Sequence, residues 1–420
     1  MRLLINLCGH DGIVSHYAGV GTIVKRYIYT FDYLLNNKDI DYHINLFTPE
    51  YNDSSFGYSH HTKKTHQSMK NVSIYELSNG TNASLGYGTP DNWKILSNNT
   101  AQIINKINFA NYDMVLTIAN DTPFAGLLEM IKDANNHKKI WIPHSTGRIH
   151  KVDSSIENSD LILNDRIKWE EEAIKYINMT FNCYLGATGH YIADHLVSEY
   201  GLDSNKILNI TNGEILSKPT EYEETDECIH LFEKVKKYDH IILSFARAEK
   251  YKNLEATMLL GKTMGIKPVV IAQGYFKGQP IIKDYENLAK ETDTLLFVDA
   301  PFNFPQYIIK HFNKEMILLV PSQKEIMGLT VNEIRRMNRS NVLIVANNID
   351  GIKEQVNDEY DGILVDLNDI EDSKNKVLNN FNLKTIKELN EHAQNTLIND
   401  YNFEVNCSNF LKELLGEYYE

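Results

Sequence analysis

Five short runs in the second half of the sequence, IILSFAR, KPVVIAQG, TLLFVDA, MILLVPS and NVLIVAN, are largely apolar without alternation, and longer amphipathic stretches separate them. A strand with one face in water alternates apolar and polar residues. A continuously apolar strand is covered on both faces, as in a parallel sheet held between two layers of helices. A looser series, RLLINL, YHINLFT, MVLTIA and KKIWIPH, occupies the first half. TIVKRYIYTFDYLL, between its first two members, repeats apolar residues at three- and four-residue intervals, as a helix does. Two such series predict an α/β protein of two doubly wound Rossmann-like domains, and 420 residues exceed what one core usually supports. The polar, acidic stretch SKPTEYEETDE, residues 217–227, marks the boundary. Residues 1–216 are expected to form the first domain and 217–398 the second, with 399–420 a C-terminal helix packing back on the first. Residues 51–100, rich in Ser, His, Asn, Thr and Gly, read as loops with one short strand, VSIYEL.

Charge and cysteine usage exclude several classes. With 42 basic and 56 acidic side chains, the net charge of −14 argues against nucleic acid or anionic lipid as the main partner. The start, MRLLINLCGHDG, has too short an apolar run for a signal peptide, and no segment approaches the length of a membrane span. Cys8, Cys183, Cys228 and Cys407 lie far apart without CxxC spacing, which fits reduced, buried thiols in a cytoplasmic protein. The sequons at Asn71 and Asn82 follow from an Asn-rich composition.

In open parallel sheets ligands bind beyond the carboxyl ends of the strands, so the turns after the apolar runs matter most. The first, HDGIVSHYAGVGTIVKRY, places Gly19 and Gly21 immediately before a helix, where free N–H groups and the dipole favour a phosphate. A tight turn into a packed helix explains the same glycines equally well. In IPHSTGRIHK, His144 stands where a strand ends and is suited to bond a substrate oxygen, against the alternative of a structural histidine. IILSFARAEKYKNLEA sets Arg247 and Lys252 five residues apart before a helix, an arrangement that suits a pyrophosphate; a solvated basic loop explains it equally well. PSQKEIMGLTVNEIRRM holds Glu325 in a loop and Glu333 in the first turn of a helix expected from about Thr330. Two carboxylates for hydroxyls, with the Gly328 and Leu329 amides for phosphate, suit a sugar nucleotide. Helix capping alone is the alternative for Glu333.

These segments, with LGATGHYIADHL, NITNGEI and NNIDGIKEQVNDEYDGILVD, run in the order found in the retaining glycosyltransferases of the GT-B fold, and the chain resembles their family 4, the glycosyl transferases group 1 that include sucrose-phosphate synthases. The resemblance implies two Rossmann-like domains facing across a cleft. It implies transfer of a hexosyl group, with retained anomeric configuration, from a nucleoside-diphosphate sugar, a UDP-sugar foremost, to a hydroxyl acceptor of unknown identity. The sugar nucleotide is a co-substrate, and no further cofactor and no metal are implied. Glu325 would contact sugar hydroxyls, Glu333 the ribose, Arg247 and Lys252 the diphosphate, Gly21 the approach to that diphosphate, and His144 the donor sugar. Residues 51–100 would shape the acceptor pocket. Three departures stand out: Ala246 in place of a glycine, IRRMNRSNVLIV in place of a small-residue run, and Asp350 in place of the first glycine of a pair. A sugar-nucleotide 2-epimerase of the same fold and a non-catalytic sugar-nucleotide-binding relative are the competing functions; a PLP-dependent glucan phosphorylase needs a longer chain. Peripheral membrane association is the lesser expectation, its candidate being the helix with Lys25 and Arg26, whose Tyr27, Tyr29 and Phe31 read as packing residues.

Overall fold

A computed structural model of the chain describes residues 1–16, 18–38, 40–55, 57–81, 87–151, 159–218, 224–274, 279–338 and 340–419. The sequon at Asn82 and residues 219–223 of the boundary stretch lie outside them. Backbone contacts divide the chain into one unit of Met1–Ile215 with Phe403–Glu420 and a second of Leu216–Asn402.

In the first unit β1 (Arg2–Cys8), β2 (Asp41–Pro49), β3 (Val72–Leu77), β4 (Met114–Asn120), β5 (His137–Ile142), β6 (Cys183–Ala187) and β7 (Ile207–Asn209) form a sheet in the order β3-β2-β1-β4-β5-β6-β7. All its neighbouring strands are parallel. In the second, β8 (Ile241–Arg247), β9 (Lys267–Gln273), β10 (Leu295–Val298), β11 (Met316–Val320), β12 (Val342–Asn347) and β13 (Ile363–Val365) are ordered β10-β9-β8-β11-β12-β13, again all parallel. The order reverses between β1 and β4 in one sheet and between β8 and β11 in the other. Adjacent strands there send their chains to opposite faces, which opens a crevice at the strand ends.

Continuous apolar strands have the expected consequence. Ile241 and Leu243 of β8 pack with Leu318 and Ile344 beneath Phe304, Ile308 and Val331. The intervening Ile242 faces the other way with Ile317, Leu319 and Leu343, under Leu260, Val377 and Ile386. Both faces of the sheet are dry.

The helix Gly19–Asn36 is a core element of the first unit, with Tyr27 and Phe31 fully buried and stacked at 5.6 Å. Arg26 pairs with Glu214 at 2.7 Å and donates to the Gly213 carbonyl, and Tyr29 lies against His66. In the helix singled out for membrane contact, Tyr27 and Phe31 are therefore packed inside, Tyr29 is half-buried and Tyr33 is exposed. The helix Phe403–Leu415 packs here too: the Phe403 ring lies 5.2 Å from Tyr27, and Asn406 donates to the Thr211 carbonyl at 3.0 Å.

Residues 51–100 correct the expectation of loops. VSIYEL is a strand, but helices His60–Gln67 and Pro90–Ile104 flank it. The first is polar throughout and is started by Ser59, whose hydroxyl accepts the Thr62 N–H. The second has Pro90 in its first turn, an Asn92 side chain accepting the Thr89 N–H at 2.9 Å, and a buried stripe of Trp93, Leu96, Ala101 and Ile104.

Candidate active site

The loops leaving β8 and β11 are tied together where the second sheet reverses its order. The Gln323 N–H donates to the Tyr251 carbonyl at 2.8 Å. After β8 a single 3-10 turn, Lys250–Lys252, leads to Asn253, whose φ of 51° swings the chain into the helix Leu254–Met264. Asparagine tolerates that left-handed conformation better than most residues. Arg247 donates to the Tyr251 hydroxyl at 2.9 Å and lies 3.1 Å from Glu249. Lys252 sits over the Tyr251 ring and pairs with Glu325. Burial raises the Tyr251 pKa, so the phenol stays protonated while its oxygen accepts from Arg247. Glu325 also accepts the Ser322 hydroxyl at 2.9 Å. A side chain at Gly328 would begin 3.7 Å from the Glu325 carboxyl carbon. The structure thus brings Arg247, Lys252, Glu325 and Gly328 into one constellation.

The helix after this loop runs Leu329–Met337, so Leu329 opens it and its N–H is among those without an intrahelical partner. Glu333 lies in the second turn, not the first as expected, because the helix starts a residue earlier. That position is too far along to cap the helix end.

Two residues that were not among the candidate site residues complete the setting. Gly351 has to be glycine, since a Cβ there would fall 1.9 Å from the Glu325 carbonyl oxygen. Arg335, fully buried, pairs with fully buried Asp361 at 3.1 Å and donates to the Gln355 carbonyl at 2.6 Å. The small-residue run missing from IRRMN is thereby replaced by an ion pair that anchors the Glu333 helix. Asp350 is largely exposed and bonds Lys353 at 3.1 Å.

The first sheet presents different chemistry at its reversal. Gly19 and Gly21 belong to the helix Gly19–Asn36 and do not precede it, a correction to the expected turn. The space beside Gly21 is filled from within, for a Cβ there would lie 2.5 Å from the Asp11 carboxyl. Asp11 accepts the N–H groups of Ala18 at 3.0 Å and Gly12 at 2.9 Å, so a carboxylate of the chain already serves the helix start. Gly12, with φ at +92° and its Cβ direction 2.3 Å from the Gly21 carbonyl, allows this close approach.

His144 lies after β5, its Nε2 3.4 Å from Asn120 Oδ1. Burial lowers its pKa to about 4, with His10 adding to the shift and Asp121 opposing it, so the ring is neutral at pH 7. Asp121, which the motifs did not mark, is the most unusual residue here. It follows β4 with φ 64° and ψ 175°, a conformation that costs a side-chain-bearing residue about 1–3 kcal/mol. Its N–H donates to the Ile142 carbonyl and its own carbonyl accepts the Trp141 indole, which together hold it there. Burial disfavours its charge, but His10, His144 and Arg166 outweigh that and keep its pKa below the usual carboxylate range. Its Oδ2 lies 3.8 Å from His10, and its buried Oδ1 has no hydrogen-bond partner among the described residues. Buried Arg166 and Glu170 fix both loops: Arg166 donates to Thr122 and Ser145, and Glu170 accepts from Thr122 and the Gly147 N–H.

Residues 228–396 match the model of the family Glycosyl transferases group 1. Over the whole chain the fold is that of solved glycosyltransferases. Sucrose-phosphate synthase from Thermosynechococcus elongatus matches at TM-score 0.71 and 14% identity, covering 99% of both chains. Anabaena HepE in complex with UDP-glucose matches at 0.67 and 11%, covering 98% of this chain and 99% of that one. The α,α-trehalose-phosphate synthase (UDP-forming) from Burkholderia xenovorans, in complex with glucose-6-phosphate, matches at 0.65 and 11%, covering 99% and 100%. No curated protein matches the chain in sequence. By its fold the whole chain is of the GT-B kind seen in those glycosyltransferases, and its second unit carries the match to Glycosyl transferases group 1. Among the described residues no helix is long and apolar enough to cross a membrane.

Proposed function

We propose that the protein is a retaining hexosyltransferase that moves a sugar from a UDP-sugar to a hydroxyl acceptor. The observation that carries this is the constellation of Arg247, Lys252 and Glu325 at the reversal of the second sheet, inside the segment that matches the family. Arg247 and Lys252 are the groups for the diphosphate, with the amides at Gly328 and Leu329. Glu325 accepts from the sugar hydroxyls and Glu333 from the ribose. The bond from the anomeric carbon to the phosphate oxygen breaks, and the acceptor oxygen bonds that carbon from the same side. The acceptor proton passes to the leaving phosphate, whose growing charge the two cations stabilise. On the first unit, Asp121 offers a buried oxygen and His144 a neutral imidazole for hydroxyl groups. The UDP moiety follows the UDP named for the structural neighbours, and glucose-6-phosphate, bound in one of them, heads the acceptors to try. All four cysteines are free and buried, which supports a reducing, cytoplasmic setting.

The test is proton NMR of early product formed from UDP-glucose and a panel of sugar-phosphate acceptors. An α-linked product, formed equally in EDTA, is expected. A β-anomeric signal would overturn retention, an altered sugar nucleotide without transfer would indicate epimerisation, and activity lost in EDTA and restored by magnesium would overturn metal independence.

A further inference from the structure

Glu325 has two claims on it. In this structure it is the counter-ion of Lys252, with 16% of the lysine and 17% of the glutamate side chain exposed. In the transferase proposed above, on which this inference rests, it accepts from donor-sugar hydroxyls while Lys252 serves the diphosphate. Lys252 and Ser322 both donate to the same carboxylate oxygen, Oε1.

We propose that the Lys252–Glu325 pair makes the site discriminate the sugar nucleotide from the bare nucleoside diphosphate. When a diphosphate takes Lys252, a mostly buried carboxylate loses its cation and keeps the Ser322 hydroxyl, which is costly. The hydroxyls of an attached sugar replace the lost donors. Bare UDP brings none, so it binds against the full cost of breaking the pair. After transfer the sugar leaves with the acceptor, Glu325 recovers Lys252, and UDP is weakened as product. The pair thus favours donor entry and product exit with the same two side chains.

Calorimetric titration of UDP and UDP-glucose into the wild type, Glu325→Gln, Lys252→Met and the double variant tests this. Glutamine keeps the shape and a hydroxyl-accepting oxygen but cannot hold Lys252 as a counter-ion. Glu325→Gln is expected to tighten UDP about tenfold, roughly 1.4 kcal/mol, while UDP-glucose changes by less than about threefold. In the Lys252→Met background the same substitution should change UDP affinity by less than about twofold, since there is no pair to break. If Glu325→Gln leaves UDP unchanged or weaker while the wild type binds both ligands, the pair does not discriminate, and the transferase assignment stands. An equal gain without Lys252 would also overturn the inference. If the wild type binds neither ligand, the assignment of the donor site falls, and this inference with it.

Discussion

Where the first sheet reverses its strand order, the chain ends present Asp11, Asp121, His10 and, one strand over, His144; at the equivalent place in the second sheet they present Arg247, Lys252 and Glu325. Both sheets are parallel and reverse their strand order once, so the difference owes nothing to architecture. It lies in the few residues after each strand. The neutral His144 ring and a buried carboxylate suit hydroxyl groups, whereas clustered cations suit phosphate. One scaffold used twice in a chain has been given two complementary chemistries.

Arg247→Ala should break the phosphate side of that contrast most severely. Transfer is expected to fall by about two to three powers of ten, a loss like that of one oxyanion donor, with weaker UDP binding. A folded variant at wild-type turnover would show that this turn does not hold the phosphate. His144→Ala tests the other side. Turnover should drop roughly ten- to a hundredfold, the worth of about 1–3 kcal/mol of hydrogen bonding, while calorimetric UDP affinity stays near wild type. An equal loss of both would erase the distinction between the two regions.

Acid should separate the units physically. His16, His66, His137 and His144, all in the first unit, have pKa values lowered to about 4, burial being the main cause in each. Unfolded histidine titrates near 6.5. Between those values the unfolded chain binds protons that the folded one refuses, so stability falls as pH drops from about 6.5 to about 4 and is unaffected by these rings above that window. Amide exchange followed by mass spectrometry should show the first unit's strands losing protection first; simultaneous loss in both would contradict this. The smallest effect expected is from Asp350→Gly. The exposed pair with Lys353 is worth about 0–1 kcal/mol, so the melting temperature should barely move. A changed preference among UDP-sugars would show that Asp350 tunes the donor pocket.

The strands that were legible are those long and apolar enough to declare themselves, such as β8, β11 and β12. β7 and β13 span three residues each, too few for any periodicity, and β6 carries a glycine. The helix His60–Gln67 has no apolar stripe to betray it; its cap alone marks it. Arg247, Lys252 and Glu325 were legible because strand ends and charge can be read along a chain. Asp121 was not, because its positive φ, its burial and its histidine neighbours arise from β1, β4 and β5 lying side by side. The same holds for Gly351, whose necessity comes from a carbonyl 26 residues earlier.

The pairing of Arg247 with Glu249 and of Lys252 with Glu325 also governs how a ligand arrives. A pocket with bare cations draws in a phosphate ester from a distance, and added salt slows that capture. Here Arg247 and Lys252 each face a carboxylate of the chain itself, and the protein as a whole carries −14. The dianionic sugar nucleotide proposed as donor would then diffuse in against the protein's field, with less attraction than bare cations would give until it is close enough to displace a carboxylate. Screening over a Debye length of about 10 Å at 0.1 M removes more repulsion than attraction, so salt should speed encounter, not slow it.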